Sequence, residues 1–164
     1  MPATRQSATP PHAAGDRLRT PVGDLMRRHW VATEPHASLL EAERLMRLAR
    51  IRQIPVVVDG VLVGLLAHHA LLRASLERLL ATGTSAARHG LMSAIPVAAV
   101  MDPRPPVLTP DATLRDAAAR MLDAQLACLP VCETDDGDAR RMVGLVVESD
   151  LLRRAYGSAG ASVG

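Results

Sequence analysis

The sequence predicts an α/β (α+β) protein made of two copies of one strand–helix–strand–strand–helix unit, and two observations support this. Residues of the first half recur in the second at a constant offset of 75 positions (101 − 26). Both halves also place their helix and strand signals in the same order. The recurring pairs are Met26/Met101, Pro35/Pro110, Leu39/Leu114, Ala42/Ala117, Met46/Met121, Ala49/Ala124, Pro55/Pro130 and Val56/Val131.

The first helix of each copy is marked by a capping box and an apolar stripe. Ser38 stands three residues before Glu41, and Thr113 and Asp116 hold the same places in the second copy. The spacing of the apolar residues after each cap predicts one buried helical face. These residues are Leu39, Ala42, Met46 and Ala49, and then Leu114, Ala117, Met121 and Ala124.

Two strands follow this helix in each copy and are predicted to form a hairpin. In the first copy the β-branched run 54–58 and the apolar run 61–66 flank an Asp59-Gly60 turn. In the second copy a longer polar loop separates the strands, which changes the offset to 80 (143 − 63). A second helix is expected to end each copy, over about 68–80 and 149–156.

Prolines and glycines punctuate these strands. Pro55 and Pro130 lack an amide donor, so they belong at the first residue of a strand or on a sheet edge, and both are expected to stand at the strand entrance. Gly64 and Gly144 stand inside apolar strands, where a missing side chain favours a bulge or the close approach of another backbone or ligand.

Composition narrows the classes of function. Nineteen basic and seventeen acidic residues give a net charge of +2, too small to indicate a polyanion partner. Phe is absent, and Trp30 and Tyr156 are single, so stacking platforms for nucleic acid are not expected. Two cysteines, with neither a signal peptide nor an apolar run of about twenty residues, predict a reducing cytoplasmic setting away from membranes.

The same reading divides the chain into five parts. The ends lack periodicity and are rich in small or polar residues, so both are expected to be disordered or soft. The connector between the copies is expected to be partly helical. The parts are an N-terminal arm 1–20, a first repeat 21–80, a connector 81–95, a second repeat 96–156 and a flexible tail 157–164.

Four motifs of the first half, each echoed in the second, resemble a tandem pair of cystathionine-β-synthase (CBS) domains, known as a Bateman module. The resemblance covers about residues 20–156. The motifs are Val22-Gly23-Asp24-Leu25-Met26, Pro35-x-x-Ser38-Leu39-x-x-Ala42, Ile54-Pro55-Val56-Val57-Val58 and Gly64-Leu65-Leu66.

The resemblance implies two pseudo-symmetric β-α-β-β-α repeats packed sheet to sheet, with two clefts between them. It implies a regulatory module without catalytic activity, which takes AMP, ATP or S-adenosylmethionine as a regulatory ligand and requires no cofactor. It also implies a homodimer that signals to a separate protein partner.

In the family, the last strand leads into a Thr or Ser and then an Asp whose carboxylate accepts hydrogen bonds from the ribose hydroxyls. The second repeat keeps Asp150 but has Val147 at the hydroxyl position, and the first has Ala67 and Ala70 at the two places. The resemblance therefore implies at most one ribose site. Asp150 also fits a second interpretation, a residue favoured in the first turn of a helix, which we leave open.

The resemblance groups further residues around Asp150. Ile51, Leu129 and Val147 are expected to form an apolar wall for a purine, and Arg28 or Arg52 to meet a phosphate. The arginines fit equally a solvated helix end. The full predicted ligand-binding set is Asp150, Val147, Leu129, Cys128, Arg28, His29, Ile51 and Arg52.

Catalysis and metal binding find little support. His68 and His69 are adjacent and diverge by about 100° on a helix, so they do not chelate one metal from the same face. Cys128 and Cys132 are about 13 Å apart along a strand, too far for a disulfide, and are expected to be buried apolar groups. The main alternative to ligand sensing is therefore a dimerisation or docking scaffold. The absence of polar side chains at Ala67, Ala70 and Val147 favours this alternative. Nucleic-acid binding through the arginines between 27 and 52 is a weaker alternative.

Overall fold

The computed structural model describes residues 17–82, 85–134 and 139–156. Within these ranges helices and strands follow the predicted order, and the mixed α and β class is confirmed. Short 3-10 turns at Val22–Asp24 and Val97–Ala99 begin the two copies, and α3 lies in the connector. The elements are α1 Leu39–Ala49, β1 Gln53–Val58, β2 Val61–Ala67, α2 His68–Thr82, α3 Ser85–Ala94, α4 Leu114–Ala124, β3 Cys128–Thr134, β4 Arg140–Val147 and α5 Glu148–Tyr156.

Both predicted capping boxes are present. The Ser38 hydroxyl accepts the Glu41 amide at 3.2 Å, and the Glu41 carboxylate accepts the Ser38 amide at 2.8 Å. The matching distances for Thr113 and Asp116 are 3.2 and 2.9 Å. These hydrogen bonds lower the pKa of both carboxyl groups, because they stabilise the ionised form.

The strands form two antiparallel hairpins, β1 with β2 and β3 with β4, each with one bulge directly before a glycine of the same strand, at Val63 and Val143. The hairpins join at one edge, where Val61 pairs with Arg141 and the Met142 amide donates to the Gly60 carbonyl at 2.9 Å. The strand order is therefore β1-β2-β4-β3. The hairpins also pack against each other, as predicted, around a buried cluster of Leu62, Cys128, Cys132, Met142 and Leu145.

The short strand expected at the start of each copy is reduced to isolated bridges. Thr33 pairs in parallel with Val56, and Leu108 with Val131. A proline follows each bridge two residues later, as Pro35 does after Thr33, and it has no amide with which to extend a ladder. The predicted element is thus present as a single bridged residue in each copy.

Pro55 and Pro130 lie on the outer edges of their hairpins, as the third residues of β1 and β3. Their carbonyls accept the amides of Thr33 at 3.0 Å and Leu108 at 2.9 Å. At these positions the neighbouring segment requires only a carbonyl acceptor, so the missing N–H of the proline costs no hydrogen bond. The edge prediction is confirmed, whereas the expectation that both prolines stand at the strand entrance is wrong, because two residues of each strand precede them.

The first residues of each copy, 21–27 and 96–102, are called here the leading segments, and each of them crosses to the opposite copy. The Val22 amide donates to the Ala112 carbonyl of the second copy at 2.7 Å, and the Val97 amide to the Ala37 carbonyl of the first at 2.8 Å. Val22 and Val97 are fully buried in the core of the opposite copy. The two repeats are therefore interlocked.

The prediction of a loose arm over 1–20 needs a correction at its end. The Leu18 and Thr20 carbonyls accept the amides of Arg115 at 3.1 Å and Leu114 at 3.0 Å, so this part lies on the start of α4. The reason is that the helix start leaves amides to be satisfied. Residues 1–16 and the tail 157–164 lie outside the described residues.

Gly64 and Gly144 allow close packing at the centre of each hairpin. A Cβ atom at Gly64 would lie 2.5 Å from the Met101 sulfur, and one at Gly144 would overlap Met26. Both glycines also lie directly after the bulged residues of their own strands, so the bulge and the close approach predicted from the sequence are both present. The leading segments are consequently held directly against β2 and β4.

Candidate ligand-binding site

Each leading segment forms a two-way backbone bridge with the last strand of the opposite copy. The Arg27 amide donates to the Leu145 carbonyl at 2.8 Å, and the reverse bond is 3.0 Å long. Asp102 and Leu65 make the same pair of bonds, both at 2.9 Å. Arg27 and Asp102 therefore stand at equivalent positions, one in each of two related clefts.

The first of these clefts, called here the Asp150 cleft, is a cavity of about 270 Å³ between the copies. Asp150, in the first turn of α5, directly follows one of its lining residues. The lining residues are Arg27, Ala49, Arg50, Ile51, Gln53, Ala127, Cys128, Leu145, Val147 and Ser149. Both copies contribute, so a molecule in this cavity touches both repeats.

The carboxylate of Asp150 is held by a bidentate ion pair across the two copies. Arg27 Nε lies 2.8 Å from Asp150 Oδ2, and Arg27 Nη2 lies 3.1 Å from Oδ1. Arg153, one turn further along α5, lies 3.4 Å from Oδ1. The hydrogen bonds with Asp150 raise the pKa of Arg27. The Asp150 side chain is 16% exposed and that of Arg27 is 48% exposed, so the pair bridges the interior and the mouth.

Gln53, at the start of β1, ties the two copies together at the inner end of the cleft. Its residue surface is 8% exposed. The side-chain oxygen Oε1 accepts the backbone amides of Ala127 and Cys128, each at 3.0 Å. The position equivalent to Gln53 in the second copy is Cys128 itself, so this link exists in one direction only.

Sequence reasoning missed Arg27 and Gln53 as site residues. The sequence nevertheless marks both residues, because each is polar and differs in charge or polarity from the residue 75 positions later. Arg27 corresponds to Asp102, and Gln53 to Cys128. A comparison of the two copies position by position singles out both residues.

Three of the predicted ligand-binding residues line the Asp150 cleft: Ile51, Cys128 and Val147. They come from the loop between α1 and β1 and from β3 and β4, so the apolar wall is built from both copies. Asp150 stands beside them at the rim through its ion pair with Arg27.

The other four predicted residues are placed elsewhere. Leu129 is fully buried in the core of the second copy, because neighbouring strand residues face opposite sides and Cys128 takes the cleft side. Arg28 and His29 are exposed and do not line the cleft. Arg52 is exposed and lines an outer groove beside α1.

The second cleft, called here the Asp102 cleft, has a cavity of about 300 Å³ and an altered set of polar groups. Ala70 takes the place of Asp150, and Asp102 takes the place of Arg27. The Asp102 carboxylate accepts the Arg104 amide at 2.9 Å. The lining residues are Leu65, Ala67, His69, Ala70, Val100, Met101, Asp102, Pro106, Ala124 and Leu126.

The cysteines have the properties of buried apolar groups. Burial raises the pKa of Cys128 to about 12 and that of Cys132 to about 11. A thiolate nucleophile is therefore strongly disfavoured at neutral pH. Among the residues that the structure describes, no group of three or more His, Cys, Asp or Glu side chains is arranged to hold a metal ion. In the same part of the chain, no helix has the length and apolar character needed to cross a membrane.

Comparisons with known proteins agree with this architecture. The family model described as "CBS domain" matches twice, at residues 22–77 and 97–157. The CBS domain-containing protein YhcV of Bacillus subtilis (strain 168) is 31% identical over 130 residues, which cover 79% of this chain and 81% of the relative.

Solved structures show the same fold. CBSX2 in complex with AMP is 25% identical with a TM-score of 0.64, covering 83% of this chain and 96% of that chain. A Vibrio cholerae protein named AcuB is 27% identical with a TM-score of 0.66, covering 85% and 93%. With its two matched repeats, the chain belongs to the CBS-domain family.

Proposed function

We propose that the chain is a regulatory CBS-pair module that binds an adenine nucleotide in the Asp150 cleft and performs no chemistry of its own. The observation that carries this proposal is the Asp150 carboxylate, held by Arg27 at the rim of a cavity that both copies line. CBSX2, a structural relative, was crystallised with AMP, which supports a ligand of this class.

The carboxylate has the capacity to bind a ribose while it stays paired with Arg27. A carboxylate offers about four lone-pair sites, and the ion pair with Arg27 uses one on each oxygen. Arg153, which is 75% exposed and lies 3.4 Å from Oδ1, turns toward solvent in this proposal. The remaining sites then accept the two ribose hydroxyl groups, and such charge-assisted hydrogen bonds are the stronger kind. Asp150 is thus the ribose-binding group of the proposal.

The charge at the mouth of the cleft favours a phosphate-bearing ligand. Arg27 is half-exposed, and Arg50 lines the same cavity. Guanidinium groups bind phosphate oxygens well because of their planar array of donors. S-adenosylmethionine carries a positive sulfonium instead, so we expect AMP and ATP to bind more tightly.

Occupancy of the cleft has a route to a separate protein partner. Arg27 belongs to the leading segment of the first copy and Asp150 to the last helix of the second, so a ligand that contacts both side chains biases the relative position of these two elements. A partner that binds one arrangement better reads this bias as a coupling of about 1–3 kcal/mol.

Isothermal titration calorimetry tests the proposal. We expect one saturable site for AMP and ATP, weaker binding of S-adenosylmethionine, and a loss of at least about tenfold in AMP affinity for Asp150→Asn. Asp102→Asn, which changes the carboxylate of the other cleft, is the matched control and leaves the affinity unchanged. No heat with any of the three ligands, or equal effects of the two variants, contradicts the proposal.

A scaffold function is the second candidate, and an apolar groove between α4 and α5 favours it. Leu122 is 79% exposed and Leu152 is 49% exposed there, beside a cavity of about 520 Å³. The equivalent of Leu122 in the first copy is Arg47, which lines a charged groove. Large exposed apolar surfaces are typical of interaction sites, and a second copy of this chain is the proposed occupant.

Sedimentation equilibrium separates the scaffold from the sensor. If the groove holds a homodimer, Leu122→Glu weakens self-association by at least about tenfold, while Arg47→Glu at the equivalent position does not. Self-association together with silence toward all three ligands establishes the scaffold alone. A wild-type monomer at high concentration removes this candidate.

A further inference from the structure

The side-chain amide of Gln53 is fixed in one orientation at the inner end of the Asp150 cleft. Its oxygen accepts two backbone N–H groups, from Ala127 and Cys128, each at 3.0 Å. A flip of the amide would place its NH2 group against these two donors and lose both hydrogen bonds. The orientation of the oxygen and nitrogen therefore follows from the hydrogen bonds themselves.

This orientation leaves the NH2 group of Gln53 available to a ligand. Within residues 17–82, 85–134 and 139–156, Gln53 Nε2 donates to no protein group. No buried side-chain nitrogen or oxygen in those ranges lacks a hydrogen-bond partner, so Nε2 must be accessible. Gln53 lines the Asp150 cleft, and this cavity is the open space to which we assign its accessible N–H donor.

The polar groups of the cleft are graded in exposure. Arg27 is half-exposed at the mouth, Asp150 is largely buried, and Gln53 is buried furthest. With a phosphate at Arg27 and a ribose at Asp150, the base of a nucleotide lies toward Gln53. The same cleft has an apolar wall that includes Ile51, Cys128 and Val147.

We infer that Gln53 is a specificity-determining residue that donates a hydrogen bond to a ring nitrogen of the bound purine. The inference rests on the proposed function and adds the group that recognises the base. An apolar wall alone accepts any flat ring, whereas a fixed, desolvated donor rejects a ring that presents no acceptor to it. The Asp102 cleft has no such donor from the equivalent residue, which is Cys128.

Gln53→Glu is the decisive variant because it separates the two roles of the side chain. A glutamate oxygen still accepts the amides of Ala127 and Cys128, while the other oxygen replaces the NH2 donor. We expect a smaller fall in melting temperature than in Gln53→Met, because the two backbone hydrogen bonds are kept although a carboxylate is buried, and a loss of about tenfold or more in the affinity for adenosine. Uncharged adenosine is used beside AMP so that repulsion of the phosphate does not explain the loss. Gln53→Met, which removes both roles, lowers the melting temperature as well.

Analogues of AMP that carry C–H in place of one ring nitrogen identify the acceptor. We expect one of 1-deaza-, 3-deaza- and 7-deaza-AMP to bind the wild type about tenfold more weakly than AMP, and to lose no further affinity in Gln53→Glu. Equal affinity of the wild type and Gln53→Glu for adenosine overturns the inference while leaving the proposed function intact. A wild type that binds no nucleotide ends both.

Discussion

The two clefts of this molecule share a backbone and differ in their chemistry. In each, a leading segment bridges the last strand of the opposite copy, through Arg27 in one case and Asp102 in the other. Asp150 is present in the first cleft, and Ala70 replaces it in the second. The comparison shows that the pseudo-symmetry positions a residue but does not determine its charge.

Residues that build the fold have stayed alike in both copies. The capping boxes have matching distances, and each central glycine lies beneath a methionine. These positions are restricted by local geometry, since a helix start needs an acceptor and a close approach leaves no room for a side chain. Residues facing the clefts have no such restriction, and they have diverged.

The largest effect is expected where the two copies are most constrained. Gly64→Ala and Gly144→Ala each push a methyl group into a methionine side chain, and each should cost about 1–3 kcal/mol in the free energy of unfolding, measured with urea. Gly90→Ala in α3 is the control, because nothing lies within 4 Å of its added methyl group. A cost for only one of the two central glycines contradicts the structural equivalence of the copies.

The difference between the clefts is tested by rebuilding one as the other. The double variant Ala70→Asp with Asp102→Arg places the groups of the Asp150 cleft at their equivalent positions. We expect the calorimetric stoichiometry for AMP to rise from one to two, with a gain of at least about 1.4 kcal/mol at the new site. Asp102→Arg alone is the control. A stoichiometry that stays at one shows that the walls, rather than these two polar groups, distinguish the clefts.

A smaller and equal effect is expected at the two helix caps. Ser38→Ala and Thr113→Ala should each destabilise the protein by about 1 kcal/mol. The lowered pKa of Glu41 and of Asp116 sets the pH dependence of the stabilisation that the two capping boxes provide. Because the folded-state values lie below the ordinary 4.5 and 3.8, the stabilisation is full above those values and is lost as the pH falls through the lower folded-state pKa.

Unfolding measured across the acid range checks this sign. The difference between the wild type and Ser38→Ala narrows as the pH falls below 4.5, the ordinary value for Glu41. A difference that widens in acid, or caps of clearly unequal strength, contradicts the described geometry.

The smallest effect on stability is expected at the ion pair that distinguishes the Asp150 cleft. Arg27 is half-exposed, so Arg27→Gln should change the free energy of unfolding by no more than about 1 kcal/mol, and added salt should reduce the difference. Urea unfolding of the wild type and of Arg27→Gln at several sodium chloride concentrations provides the measurement. A loss of several kcal/mol would mean that the pair holds the copies together rather than preparing a site.

The sequence was sufficient to predict the elements because their signals are local. Caps such as Ser38, turns such as Asp59-Gly60 and strand alternation each act over a few residues. The first strand of each copy was the exception, since its pairing ends at a proline two residues beyond Thr33. Leu129 was assigned to the cleft although strand alternation, applied to its neighbour Cys128, places it on the opposite side.

The contacts of the site were not predictable in the same way. Arg27 meets Asp150 across 123 positions, and Gln53 meets Cys128 across 75. Both contacts depend on the crossing of the leading segments and on the joined hairpins, which no periodicity in the sequence reveals. A difference between equivalent positions of the two copies was the one available indication of these site residues. It identifies the residues themselves but not the residues that they contact.

The crossed leading segments have a consequence for how this gene can be divided. A fragment with only the first half would lack the leading segment around Val97, which packs beside the start of α1. The complementary fragment would lack Val22 in the same way. Each fragment alone would leave backbone amides and an apolar patch open to water. We therefore expect the native fold to require both halves, so that two separate fragments regain it only when they associate.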